Sequence, residues 1–333
     1  MPRKRSKQEP QAGQGQKPRL RLRLPSLRDP RFRHDLGLLA VGIGGALAGG
    51  SLFGWIWPEP DRSLATQLEV TPGSLAEKPG RPVTVLVIGS DADALGASDN
   101  GAAPRGPARS DTLLLVRVNP KGPLQVLQLP VELAVNLPGS AQPVRLGDLY
   151  SRGGPMLTAD VVRELVGLEP GRPDRYLVLP RGALRNLVSE VGGLEVSPPT
   201  TMKYEDKSRQ YRIDLQSGLQ RLDGRQVEQL VRYRDKWLGE QSRRTNQKLV
   251  VSSLRERLEQ PEVLARLPAL LAGLQGQVET NLTARESLSL LAAGLDDDRP
   301  IQFAVLPLDP QKKEHGGLRQ LAADATGPLW KAP

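Results

Sequence analysis

The stretch ARSDTLLLVRVNP, residues 108–120, sets an arginine and a carboxylate, Arg109 and Asp111, at the mouth of an apolar run. A second carboxylate, Asp91, closes an earlier apolar run in VLVIGSD, residues 85–91. The chain has no cysteine and two histidines, His34 and His315. That excludes disulfides and cysteine nucleophiles and leaves almost no material for a Ser-His-Asp triad or a zinc site. No GxxxxGK(S/T) phosphate loop occurs either. Chemistry must then rest on carboxylates, arginines and a hard metal ion. Mg2+ takes one or two carboxylates beside phosphate oxygens, and Asp91 and Asp111, at the ends of two neighbouring strands, fit that need. Taken alone, Arg-Ser-Asp also fits a strand end capped in water.

Further arginines come in spaced pairs. In LVRYR, Arg232 and Arg234 would point to nearly opposite sides of a helix, because each residue turns the chain by about 100°. In an extended segment they share a face, so both guanidiniums meet one phosphate group while Val231 and Tyr233 pack behind. Arg243 and Gln247, four apart, continue the apolar stripe of Val251, Leu254 and Leu258 on one helical face. A stripe that turns polar at its N-terminal end points a helix start, with its anion-favouring dipole, into a site.

The elements that would position these groups follow from periodicity. Residues 83–89 and 111–118 are near-continuous apolar runs and read as buried strands. Residues 124–130 alternate as a half-exposed neighbour would, joined to the second run by the tight-turn sequence NPKG at 119–122. The Gly/Ala/Pro-rich stretch between Asp91 and Arg109 has no period and reads as a loop. Helices are expected at 158–167, 180–191, 222–231, about 241–258, and 281–295, where Thr283 and Glu286 form a capping box; residues 301–308 read as a final strand. Interleaved strands, helices and hairpin signals predict an α/β fold of the mixed, α+β kind: a central mixed sheet covered by helices.

Charge is distributed unevenly. Residues 1–35 hold eleven Lys or Arg against three acidic residues, so eight of the nine net positive charges belong to a tail. The next 22 residues, 36–57, carry no charge and end in Trp55 and Trp57 before Pro58. At 1.5 Å per residue such a run spans a hydrocarbon core of about 30 Å, and the basic flank keeps the N-terminus cytoplasmic. The expected organisation is a basic cytoplasmic tail at 1–35, one transmembrane helix at 36–57, a linker at 58–81, a main domain at 82–260, its C-terminal extension at 261–310 and a polar tail at 311–333. The chain is then a single-pass protein of the cytoplasmic membrane with its main domain outside. Gly45/Gly49 and Gly50/Gly54 have small-xxx-small spacing, which a glycine-rich span also produces by composition, so the oligomeric state stays open.

Taken in order, VLVIGSD (85–91), RSDTLLLVRVNP (109–120), LYSRGGP (149–155), LVSEVGGLEV (187–196), IDLQSGLQRLDGRQVEQLVRYR (213–234) and RRTNQKLV (243–250) resemble the LytR-CpsA-Psr family. The resemblance covers about residues 82–308. It implies a membrane-anchored envelope phosphotransferase that moves a glycopolymer from a polyprenyl-pyrophosphate carrier to peptidoglycan or another envelope acceptor, with Mg2+ held at Asp91 and Asp111. It places Asp111, Arg109, Arg232 and Arg234 at the reacting pyrophosphate and Arg243 and Gln247 in substrate binding.

The chain departs from the family pattern where Pro-Arg-Asp usually follows the third strand. Here Val131 and Glu132 stand in place of the arginine and the aspartate, and Glu240 replaces another acidic residue. Arg145 or Arg152 is the available substitute for the lost charge. A degenerate, non-catalytic homologue that binds polyprenyl-linked lipids is the alternative function, and a transcriptional attenuator a lesser one. Nucleic acid is not an expected partner: the cytoplasmic tail has no helix-turn-helix pattern, and basic residues beside a bilayer serve topology and anionic lipid. The carrier's apolar chain calls for a tunnel, for which helices at 158–167 and 180–191 offer Val161, Val162, Leu165, Leu184, Leu187 and Val188.

Overall fold

A computed structural model describes residues 71–97, 107–209, 211–296, 299–313, 318–322 and 330. They all belong to one unit, Gln67–Pro333. The basic tail, the uncharged run 36–57 and the start of the linker lie outside the described residues, as does His315. Among the described residues no helix is long and apolar enough to cross a membrane.

The two apolar runs become β1 (Val83–Ser90) and β2 (Ser110–Val118), paired antiparallel with Val83 opposite Val118 and Ile88 opposite Leu113. The NPKG turn brings β3 (Leu124–Gln128) back antiparallel to β2. A small ladder of β4 (Ala134–Val135) and β5 (Val144–Arg145) follows, then helix α1 (Leu149–Val166). Strand β6 (Arg175–Pro180) lies parallel to β1 and leads into α2 (Arg181–Glu190). Asp174 fastens this parallel pair: its carboxylate accepts from the Thr84 amide and hydroxyl, both at 2.7 Å, and from Arg81 at 2.8 Å.

A second group of elements packs beside α2. It holds the ladders β7 (Leu194–Val196) with β10 (Gln220–Leu222), and β8 (Met202–Asp206) with β9 (Tyr211–Leu215). Helix α3 (Gly224–Arg232) starts at a capping box between Asp223 and Gln226, and α4 (Glu240–Leu258) follows it. Short helices α5 (Pro261–Leu264) and α6 (Leu267–Gly273) lead to β11 (Glu279–Thr280), α7 (Ala284–Gly294) and β12 (Ile301–Val305). The central sheet has the order β11-β6-β1-β2-β3-β12 and is mixed, as expected. Thr283 and Glu286 cap α7 reciprocally, as the sequence predicts.

Four expectations are corrected. First, β3 is buried rather than half exposed, because β12 adds a parallel strand outside it. Its polar residues stay satisfied: Gln125 accepts from Arg117, and Gln128 donates to Gln247 at 2.7 Å. Second, the helical span α1 begins nine residues before the expected start because it joins two helices across a kink: Gly153 and Gly154 (φ 65°) are non-helical, and the expected helix is the stretch that follows them. Third, among the described residues the apolar side chains of α1 and α2 pack into two different cores rather than one shared space. Val162 and Val188, both 0% exposed, belong to two separate core clusters, one built on the central sheet and one on the second group of elements. Fourth, the described parts of the expected linker and tail are folded. Leu75 packs against the second core cluster, and Lys78 pairs with Asp296 at 2.7 Å. At the other end β13 (Leu308–Lys313) pairs with β14 (Arg319–Leu321), and Trp330 lies buried in the sheet's core under the Arg117 guanidinium at 3.9 Å. Apolar residues scattered through a polar stretch leave no period, so sequence alone reads them as tail.

Candidate functional site

The C-terminal end of β1, the start of β2, the segment after β3, β5 and the ends of α3 and α4 converge on one cavity of about 240 Å³. Five arginines line it, Arg109, Arg145, Arg232, Arg234 and Arg243, together with Asp91, Asp111, Asp148, Ser110 and Val131.

A strand irregularity aims the central carboxylate. Gly89 pairs with Thr112 but Ser90 pairs with Ser110, so Asp111 is one extra residue on β2. A bulge of this kind bends the strand and redirects the extra side chain. Gly89 is needed there, since a Cβ would stand 2.8 Å from the Thr112 Cβ. Beyond the bulge the chains clasp each other: the Asp91 amide donates to the Arg109 carbonyl, and the Arg109 amide donates to Asp91 Oδ1, both at 2.9 Å. Burial raises the Asp91 carboxyl above its ordinary range, and the Asp111 charge adds to that, against lowering by the Arg109 amide and by the Arg232 and Arg109 charges. Two carboxylates whose charges oppose each other suit a divalent cation between them. Among the described residues no third acidic or histidine side chain completes a metal cluster, so such a cation would draw its remaining oxygens from ligand or water.

The arginines are held from behind. Arg232 is the last residue of α3 and Tyr233 is extended (ψ 132°), so the extended segment starts one residue later than the sequence reading had it. Both Arg232 and Arg234 nevertheless line the cavity. Glu240 bridges two of the five, accepting from Arg234 at 2.5 Å and from Arg243 at 2.7 Å. Arg232 has Glu228 one turn back at 3.9 Å and the Tyr211 ring 5.1 Å from its guanidinium carbon. Glu228, 5% exposed, also pairs with Arg181, 6% exposed, and with Arg185 at 2.5 Å. Arg181 in turn donates through Nε to the Asp91 carbonyl at 2.9 Å. One buried charge pair therefore backs both an arginine, Arg232, and the segment that carries a carboxylate, Asp91. Burial pushes the Tyr211 hydroxyl up to about 12, so it stays protonated beside them.

Of the residues singled out in the sequence, Asp91, Arg109, Asp111, Arg145, Arg232, Arg234 and Arg243 come together. Two do not. Arg152 is exposed on α1 and does not line the cavity. Gln247 is buried behind the wall, donating to the Thr112 hydroxyl at 2.7 Å and accepting from Gln128, so it braces the strand that carries Asp111. Glu132 is also outside the lining; its carboxylate accepts from Arg244 at 2.6 Å. Asp148, Ser110, Arg181 and Glu228 were not anticipated. The i, i+4 spacing of Glu228 and Arg232 is a signal that could have pointed to Glu228, whereas nothing local marks Asp148 or Arg181.

The ladder of β4 and β5 explains how Arg145 arrives. The Leu146 amide donates to the Leu133 carbonyl at 2.8 Å and the Gly147 amide to the Val131 carbonyl at 3.0 Å. Residues 145–147 thus run against 131–133, and successive side chains alternate, with Val144 in the core and Arg145 in the cavity. Gly147 permits this approach: a Cβ there would lie 2.7 Å from the Ser110 carbonyl and 3.0 Å from the Val131 Cβ.

The chain is 30% identical over 200 residues to "Probable cell wall biosynthesis protein LcpB" of Corynebacterium glutamicum, covering 58% of this chain and 44% of that protein. It is 27% identical over 190 residues to the polyisoprenyl-teichoic acid–peptidoglycan teichoic acid transferase TagV of Bacillus subtilis, covering 55% and 47%. It thus spans about half the length of the curated relatives it matches. The crystal structure of B. subtilis TagV superposes with a TM-score of 0.59 at 21% identity, over 73% of this chain and 91% of that one, which establishes the likeness of fold. The family model described as the LytR_cpsA_psr family matches residues 61–325, and the chain belongs to that family.

Proposed function

We propose that this chain is a membrane-anchored envelope phosphotransferase, moving a glycopolymer from a polyprenyl-pyrophosphate carrier to peptidoglycan or another envelope acceptor. The observation that carries the reading is the convergence of five arginines on one cavity that Asp91 and Asp111 also line. Transfer from a pyrophosphate needs its anionic oxygens neutralised and asks little covalent help of the protein. Arg232, Arg234 and Arg243 neutralise the carrier's phosphates, with Arg109 and Arg145 in the same lining. Asp91 and Asp111 hold Mg2+, which when bound neutralises phosphate oxygens. The acceptor hydroxyl oxygen forms the new phosphoester bond and releases its proton to water, the pyrophosphate P–O link breaks, and the carrier leaves with that electron pair as its monophosphate. Residues 36–57 anchor the chain, with the catalytic unit on the outer side.

The experiment is release of polyprenyl monophosphate by the full chain in proteoliposomes, given a glycan-loaded polyprenyl pyrophosphate and peptidoglycan. Asp111→Ala and Arg243→Ala should abolish release. Unchanged release in both would remove the cavity from the reaction. Val131, aliphatic and in the lining where the family pattern has an arginine, favours a second reading: a binder of polyprenyl pyrophosphate without transfer. Tight binding with no release from the wild type would select it.

A further inference from the structure

Between Arg234 and Glu240, which pair with each other at the cavity, the chain makes a short turn through Lys236, Trp237 and Leu238. Trp237 is 93% exposed and Leu238 57%, the former the most exposed large apolar side chain among the described residues. The turn is built to hold them there. The Asp235 carboxylate accepts from the Trp237 amide at 2.7 Å and the Leu238 amide at 3.0 Å. The Gly239 amide donates to the Asp235 carbonyl at 3.0 Å, with Gly239 at φ 53°, and the Ser242 hydroxyl accepts from the Asp235 amide at 2.8 Å. Those amide bonds also lower the Asp235 carboxyl below its ordinary range.

We infer that this turn dips into the interfacial layer of a lipid bilayer and sets the arginine cavity at headgroup depth. A tryptophan beside a lysine is the chemistry of that layer: an amphipathic ring at the headgroup boundary and a cation among phosphates. A protein partner needs about 800 Å² from each side, far more than a two-residue tip presents. The neighbouring arginines complement anionic headgroups, and a lipid-borne pyrophosphate lies at the same depth. That last point rests on the proposed function; the contact with lipid does not.

The chain has no cysteine, so one introduced thiol gives a unique label. Leu238→Cys keeps Trp237 and carries a polarity-sensitive NBD dye, in the full chain reconstituted into nanodiscs of phosphatidylcholine and phosphatidylglycerol. Leu219→Cys, at another exposed site (77%), is the reference. Headgroup-proximal doxyl lipid should quench the label at 238 at least twofold more than the label at 219. Equal quenching at both sites overturns the inference, whether the tip meets water or a protein. Trp237→Ser with Leu238→Ser should lower turnover of bilayer-embedded polyprenyl pyrophosphate at least tenfold and leave inorganic pyrophosphate binding in detergent unchanged. Unchanged turnover also counts against the inference, whereas failure of inorganic pyrophosphate to bind the wild type overturns the proposed function and leaves the quenching result to stand.

Discussion

Arg145 lines the same cavity as Val131, so it is expected to supply the charge missing at Val131 and the two positions to be coupled. Arg145→Gln keeps most of the side chain's length and removes the charge. Arg145 is only partly buried and lines an open cavity, so one charge-assisted hydrogen bond to phosphate there is worth the lower end of its range, about 1.5 kcal/mol. That is roughly a tenfold loss in affinity for inorganic pyrophosphate. Where the contact strengthens in the transition state, turnover falls further, on the order of 10². Val131→Arg in the Arg145→Gln background should restore most of both, because residues 145–147 run against 131–133 and a long side chain from either position reaches the same space. In the wild type the same substitution should gain less than threefold. Titration calorimetry with Mg-pyrophosphate and release of polyprenyl monophosphate measure the four proteins of the cycle, and a coupling of about 1 kcal/mol in binding is expected. Thermal melting guards against overpacking, since Val131 is 6% exposed. If Arg145→Gln changes neither readout while Val131→Arg raises wild-type turnover tenfold, the charge is absent rather than relocated.

Glu228→Ala should cost about 3–5 kcal/mol in unfolding free energy, because it leaves Arg181 buried with one partner fewer; Arg181→Met with Glu228→Leu should melt near the wild type yet bind Mg-pyrophosphate at least tenfold more weakly, and unaltered binding would show that the pair supports only the fold. Asp174 is buried, which would raise its carboxyl, but bonds from Thr84, Arg81 and Arg172 outweigh that and lower it from 3.8 to about 2. Its contribution, about 2 kcal/mol, is present above the unfolded value and lost as pH falls through the folded one. The stability gap between wild type and Asp174→Asn should therefore shrink between pH 4 and pH 2, and a gap constant with pH would contradict this. Asp111→Ala should abolish the Mg2+ dependence of pyrophosphate binding, and Asp91→Ala should weaken it; identical magnesium titrations would remove both from the site. Alkaline phosphatase fused after residue 333 should be active outside the membrane, and activity of a cytoplasmic reporter instead would reverse the topology.

What the sequence determined is what local rules govern. Apolar runs place β1 and β2, NPKG makes the turn to β3, and a reciprocal cap begins α7, because each depends on residues within a few positions of one another. The chemistry was equally legible: without cysteine and with two histidines, arginines and carboxylates remained. Which of them meet was decided by tertiary structure. The bulge that turns Asp111 inward is a mismatch between two strands and exists in neither alone. Arg145 and Arg152 were equivalent candidates on paper; strand pairing with residues 133 and 134 brings the first into the cavity, while the second stands exposed on α1. Gln247 sat on the right helical face, yet β2 and β3 claimed its amide as a brace. Arg181 and Glu228, 47 residues apart, carry no local sign that they meet, and the burial that makes their charges matter is created only when α2 packs on α3.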